Sequence, residues 1–219
     1  LISPLLLVLL DRVLLKRFAT LKTAPQAQEI SEPQSAPVII AGFGRYGQIV
    51  ARMMLAQGVP ATVLDHSVEM LEVAHTFGYR VFYGDATRVN LLRMAGAEHA
   101  RILVVAVDAP EQSLKIVQLA KKHFPQLQIV ARARDVTHWH ALRDLGVEHV
   151  EREVFESSLR TARTVLELNG LSPQEADTLA ERFRAHNMAL SNRMYEHHND
   201  REAMIAVAKQ GRAQLVEQM

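Results

Sequence analysis

Val38–Gly47 reads VIIAGFGRYG, and this stretch decides the fold. Val38, Ile39, Ile40 and Ala41 form an apolar, β-branched run too short for a helix, as a buried strand requires. Gly42, Gly44 and Gly47 then give G-x-G-x-x-G, and Ile49, Val50, Met53 and Met54 follow at helical spacing. A glycine triad between a strand and a helix has a mechanical reading. The first glycine permits a tight turn, the second lets a diphosphate approach the backbone, and the third lets helix and strand pack closely. The free N–H groups at the helix start then face anionic oxygens. The stretch predicts a nucleotide- or dinucleotide-binding fold.

Downstream, strand and helix signals alternate. Strands are expected at 61–64 (closed by Asp65), 80–83, 102–107, 127–131 and 147–150. Helices are expected at 68–77, 89–94, 110–124 and 136–145, with Gly78, Gly96 and Gly146 at three of their ends. Six strands alternating with helices predict an α/β, Rossmann-like, doubly wound parallel sheet over residues 38–152. From Glu153 the pattern is purely helical, giving a C-terminal helical extension over 153–219. Phe155, Leu159, Ala162 and Leu166 put one apolar face on its first helix. Ser172-Pro-Gln-Glu175 then reads as a capping box opening the next.

Composition narrows the function. The net charge of +1 supplies no field for nucleic acid, and no basic stripe carries interleaved aromatics, so nucleic-acid binding is excluded as a leading reading. The absence of cysteine removes disulfides, thiolate metal sites and a cysteine nucleophile. Residues 19–37 are rich in Ala, Gln, Pro and Ser and read as a linker. Before them, Leu1–Leu10 is LISPLLLVLL, too short to span a bilayer alone and unlike a signal peptide. Residues 1–18 are expected to be the end of a transmembrane or membrane-proximal helix, with Arg12, Lys16 and Arg17 on its cytoplasmic side. A buried or interfacial amphipathic helix is the alternative.

Candidate ligand residues follow from position. Asp65 closes the second strand 23 positions after Gly42, where a ribose-binding acid belongs. Asp85, at the end of the third strand, is expected to face the same crevice, and Arg45 to lie near a diphosphate. Asp108 and Arg132 follow the fourth and fifth strands, on the edge where such sheets bind ligands. The ten histidines, His197-His198 included, read as surface residues. The chain has no G-x-S-x-G, no H-E-x-x-H and no complete Walker A sequence, so no catalytic residues are assigned. An NAD-dependent oxidoreductase stays open as an alternative, without an evident substrate domain.

Further motifs carry a resemblance. VIIAGFGRYGQIVAR at 38–52, VLDH at 63–66, VFYGDATRVNLLRMAGAE at 81–98 and IVARARD at 129–135 resemble the RCK or KTN regulatory domains of potassium transport proteins. HFP at 123–125, GVEHVERE at 146–153 and RAHNM at 184–188 make the chain similar to the Kef family of glutathione-gated potassium efflux systems. The resemblance implies a homodimer on the cytoplasmic side of the bacterial inner membrane, joined to its own N-terminal membrane transport domain. It implies a potassium/proton antiporter inhibited by glutathione and activated by bulky S-conjugates, with a quinone-reductase-like flavoprotein as a further partner. It also implies a site for AMP or NAD(H) at Gly42, Gly44, Arg45, Tyr46, Gly47, Asp65, His66, Asp85, Ala86 and Asp108. The glutathione positions it implies are Arg52, Phe77, Arg152 and Asn187. His186, beside Asn187, departs from the family's usual apolar residue. A nucleotide-sensing subunit of another potassium transporter is the second alternative.

Overall fold

The computed structural model describes residues 30, 32–67, 69–71, 74, 80–198 and 200–218. The expected segment 1–18, most of the 19–37 linker and Phe77 lie outside the described residues. The strands are β1 (Val38–Ala41), β2 (Ala61–Asp65), β3 (Val81–Tyr83), β4 (Ile102–Val105), β5 (Gln128–Ala133) and β6 (His149–Arg152). The helices are α1 (Arg45–Ala56), α2 (Val89–Met94), α3 (Pro110–His123), α4 (Val136–Asp144), α5 (Phe155–Leu168), α6 (Pro173–Glu196) and α7 (Arg201–Gln218). Residues 69–71 and 74, between β2 and β3, are helical as well.

All strand pairs are parallel, in the order β3-β2-β1-β4-β5-β6. This is the doubly wound arrangement expected from the alternation, and the strand order reverses between β1 and β4. β1 is buried along its whole length, and its alternate side chains serve opposite faces. Ile39 and Ala41 join Leu92, Ile116, Val117 and Leu142 on the α2, α3 and α4 side. Val38 and Ile40 join Ala51, Leu71 and Ala74 on the other. The C-terminal extension folds back as α5, α6 and α7. Ser172 makes both halves of the expected capping box with Glu175. Among the described residues no helix is long and apolar enough to cross a membrane.

Two local expectations are corrected. β6 begins at His149 rather than residue 147, because Gly146 sits at φ +72° and the Val147 N–H closes α4 on the Leu142 carbonyl at 3.1 Å. β5 runs past residue 131 through Arg132 and Ala133, which pair with Glu151 and Arg152. Ile49 and Met53, whose spacing predicts the helix α1, are 68% and 58% exposed on it, while Gly47 and Ala51 face the sheet.

Candidate functional site

The reversal of strand order opens a crevice of about 580 Å3 above the carboxyl ends of β1, β2 and β4. Its floor is the glycine turn. Gly42 holds φ +103°, and a Cβ there would stand 2.9 Å from the Ala106 carbonyl carbon. Gly47 touches the turn from beneath, since a Cβ on it would lie 2.0 Å from the Gly42 oxygen. Gly44 has nothing within 4 Å of its Cβ position and caps α1 with no side-chain hydrogen bond. That leaves the first N–H groups of α1 open to an anionic oxygen.

Gly42, Gly44, Arg45, Asp65, His66, Ala86 and Asp108 all line this crevice. Asp65 is buried at the end of β2. Its carboxylate accepts the Phe43 N–H at 2.5 Å and the Ser67 N–H at 2.7 Å, bracing the loops on either side. Each oxygen keeps a lone pair for a ribose hydroxyl. The sequence reading did not pick out Gln48, Ser67 or Gln112, which also line the crevice; none carries a motif signal.

Three of the expected nucleotide residues stand apart from the crevice lining. Gly47 lies beneath the turn. Asp85 faces its own loop: its two oxygens accept the Thr87 N–H at 2.9 Å and the Thr87 hydroxyl at 2.8 Å. Burial pushes the Asp85 carboxyl up, but the Thr87 hydrogen bonds, with Lys115 and Arg88, hold it below the usual carboxylate range. Tyr46 packs partly into the core beneath the Arg132 guanidinium, 5.8 Å from the ring centroid. Burial, reinforced by Glu151, raises its phenol pKa.

Beside the crevice, Arg132 is a buried cation inside β5. It is 5% exposed and donates to Asp108 at 2.6 Å, to Glu153 at 2.5 Å and to the Ala106 carbonyl at 3.3 Å. Arg45, on the glycine turn, lies 3.8 Å from the other Glu153 oxygen with its side chain in solvent. Glu153 therefore stands between the nucleotide turn and the chain entering α5.

Past Glu153 lies an apolar groove of about 540 Å3. Phe155, Leu159, Ala162 and Leu166, the predicted stripe of α5, form one wall, and Leu179, Ala180 and Phe183 of α6 the other. Arg152 and Asn187 both line it. The Arg152 guanidinium donates to Asn187 Oδ1 at 2.5 Å and stacks 4.1 Å from the Phe155 centroid. Burial lowers the Arg152 pKa, with Glu151 opposing. Arg52 does not line this groove. It sits on the exposed face of α1, beside Ile49 and Met53. Phe77 lies outside the described residues.

Three histidines depart from the surface reading, while His66, His99, His123, His149 and His197 are exposed as expected. His138 and His140 are buried on α4, and His198 is half-buried against it. Among the described residues no group of three or more His, Cys, Asp or Glu is placed to hold a metal ion.

Comparison with known proteins gives a consistent picture. The TrkA-N domain model matches residues 38–153, and the model of the potassium efflux system KefB C-terminal domain matches 157–219. The glutathione-regulated potassium-efflux system protein KefC of Escherichia fergusonii is 48% identical over 215 residues, covering 98% of this chain and 34% of that protein. The chain thus spans about a third of the length of such relatives. Among solved structures, the Shewanella denitrificans Kef CTD in its AMP-bound form is 43% identical, with a TM-score of 0.67 over 73% of this chain and 97% of that one. The GsuK channel bound to NAD, at 17% identity and TM-score 0.55 over 72% of this chain and 29% of that one, shares the fold alone.

Proposed function

Since the chain belongs to the Kef family of potassium-efflux C-terminal domains, with a TrkA-N unit at its centre, we propose that it is the ligand-sensing domain of a glutathione-gated potassium/proton antiporter. In this reading residues 38–152 hold a nucleotide and residues 153–219 carry dimerisation and regulation. Residues 1–37 connect them to the protein's own membrane transport domain, on the cytoplasmic side of the bacterial inner membrane. A quinone-reductase-like flavoprotein is the further partner. The module senses and does not catalyse.

The observation that carries the reading is the Arg152–Asn187 pair at the mouth of the apolar groove. Glutathione has two carboxylates and amide groups. A guanidinium that can engage a carboxylate in two hydrogen bonds, next to a side-chain amide, is chemistry suited to it. The apolar walls suit the substituent of an S-conjugate. Only that substituent differs between the inhibiting and activating ligands, so it must supply the differential affinity that moves a two-state equilibrium.

Arg52 stands outside this groove, so the reading requires a second copy of the chain to complete the site. The exposed Ile49 and Met53 beside Arg52, and Leu168 at 84% exposure on α5, are the apolar faces such a copy would cover. Calorimetric titration with glutathione and with a bulky S-conjugate tests the proposal. Arg152→Ala and Arg52→Ala are each expected to weaken both ligands by about tenfold, the range for a charge-assisted hydrogen bond. Native binding that neither substitution weakens would reject the assignment.

The crevice favours AMP over NAD(H). Its lining comes from β1, β2, the β3–α2 turn and β4, with nothing from β5 or β6. A dinucleotide would extend its second half over those later strands. Near the carboxyl end of β5 stands Arg132, bridged to Asp108 and Glu153. AMP at one hundred times its Kd is expected to stabilise the chain by about 2.7 kcal/mol, read as a rise in Tm. NADH at the same concentration is expected to give a smaller rise; an equal or larger one would overturn the preference.

A further inference from the structure

The junction between α4 and the C-terminal helices holds a side-chain cluster that neither the crevice nor the groove uses. Arg143 lies 4.7 Å from the ring centroids of both Trp139 and Tyr195, and donates to Asn192 at 2.7 Å. The Tyr195 hydroxyl donates to one Asp144 oxygen at 2.9 Å, and His198 Nε2 stands 3.0 Å from the other. His198 stacks on Tyr195, with centroids 5.0 Å apart and planes 7° from parallel. His140 sits in the middle, 5.5 Å from Trp139, 5.5 Å from Tyr195 and 5.8 Å from His198. It is 4% exposed.

His140 has no room for a second proton. Its Nε2 is buried without a hydrogen-bond partner among the described residues, so the ring's hydrogen bond to the Ser191 backbone uses Nδ1. Protonation would place an N–H on Nε2 with no acceptor among the described residues, and a buried unmatched donor is costly. Burial is the main cause lowering the His140 pKa. The charges facing it are mixed. On its own helix Arg143 opposes protonation and Asp144 favours it; from the α6 side His198 opposes it, while the Ser191 hydrogen bond favours it.

We propose that His140 is a pH-sensitive latch: neutral, it lets Tyr195 and His198 close over α4, and protonated, it releases the C-terminal half of α6. The sign follows from burial. A histidine whose pKa is lowered on docking stabilises the docked form above its ordinary value and loses that contribution as pH falls through the lowered one. His198 Nε2 faces Asp144 across 3.0 Å. That pair is partly in solvent and screened, so His140 decides the outcome. Asn187 lies two turns before Tyr195 on α6, so release would loosen its bond to Arg152. This consequence rests on the ligand reading of the groove; the latch itself does not.

Trp139 is the only tryptophan, so its emission reports the junction directly. The 219-residue chain, without ligand, is followed from about pH 8 to about pH 5.5 by Trp139 fluorescence and by hydrogen exchange at α6, corrected for intrinsic exchange rates. The native chain is expected to lose about tenfold protection in the C-terminal half of α6, together with a change in Trp139 emission. His140→Gln, which does not titrate, should abolish both changes, whereas His138→Gln and His198→Gln should retain them. A native chain with no transition, or a transition that survives in His140→Gln, overturns the latch. Should His140→Gln fail to fold, the imidazole resonance of native His140 decides the matter. Protonation coincident with the loss of protection supports the latch, and a ring still neutral after the loss rejects it. Since no glutathione or nucleotide enters the assay, its failure leaves the ligand reading untouched.

Discussion

Gly47→Ala is expected to abolish adenine nucleotide binding and to cost the fold about 3 kcal/mol or more, beyond the usual range for an overpacked methyl. The added carbon would stand 2.0 Å from the Gly42 oxygen and 3.0 Å from the Gly42 carbonyl carbon. Those are backbone atoms, and they cannot rotate away. Gly42 is held by its N–H bond to the Leu64 carbonyl at 2.8 Å and by the close approach of Ala106. The strain can be relieved only by separating α1 from β1, which displaces the helix start from the crevice. Gly44→Ala is the control. Its methyl meets nothing within 4 Å, and the backbone φ of −66° suits any residue, so stability should change by no more than about 0.5 kcal/mol. That methyl nevertheless enters the space where a phosphate would lie. Urea unfolding and AMP titration together separate the two variants: Gly47→Ala loses stability and binding, Gly44→Ala loses binding alone. A Gly44→Ala chain binding AMP as the native chain does would mean that the phosphate does not approach there.

The sheet was legible because its residues repeat one physical bargain. Val38–Ala41, Ile102–Val105 and their neighbours are continuous apolar runs, as strands buried on both faces must be, and glycines punctuate the helices between them. Periodicity did not reveal buried charge. Arg132 ends an apolar run in the sequence, so the strand reads as stopping there; in the fold it continues, because two carboxylates and a carbonyl satisfy the guanidinium. His140 misled for the same reason, since its burial depends on α6 arriving some fifty residues later in the chain. Ile49 and Met53 marked their helix correctly yet stay exposed on it: an apolar stripe says that a face is dry, not which neighbour dries it. At the candidate site, the glycine turn and Asp65 follow from spacing. Arg152 and Asn187 are 35 residues apart and form no sequence pattern, so only the family resemblance drew attention to them.

Arg132→Met should be the most destabilising change outside the glycine turn, by about 3 kcal/mol, at the low end for breaking a buried ion pair by removing one partner. The loss falls unequally on the two acids. Asp108 has a side chain 79% exposed, so water replaces the lost partner at small cost, whereas Glu153 at 20% is left with only the distant, solvent-screened Arg45. Methionine fills the volume over Tyr46 but supplies no donor to either acid or to the Ala106 carbonyl. Removing the stranded charge should therefore recover part of the loss, and Arg132→Met/Glu153→Gln is expected to be at least about 1 kcal/mol more stable than the single variant. Asp108→Asn in the same background should recover almost nothing. Urea midpoints of the four chains check this, and equal recovery from both second substitutions would reject Glu153 as the burdened partner. The same variant bears on the nucleotide site. With the bridge gone, the surface over β5 and β6 is open to the second half of a dinucleotide, and the AMP-over-NADH preference should narrow through tighter NADH binding. If the preference instead persists in a folded Arg132→Met chain, the shape of the crevice itself excludes the dinucleotide, and the bridge serves stability alone.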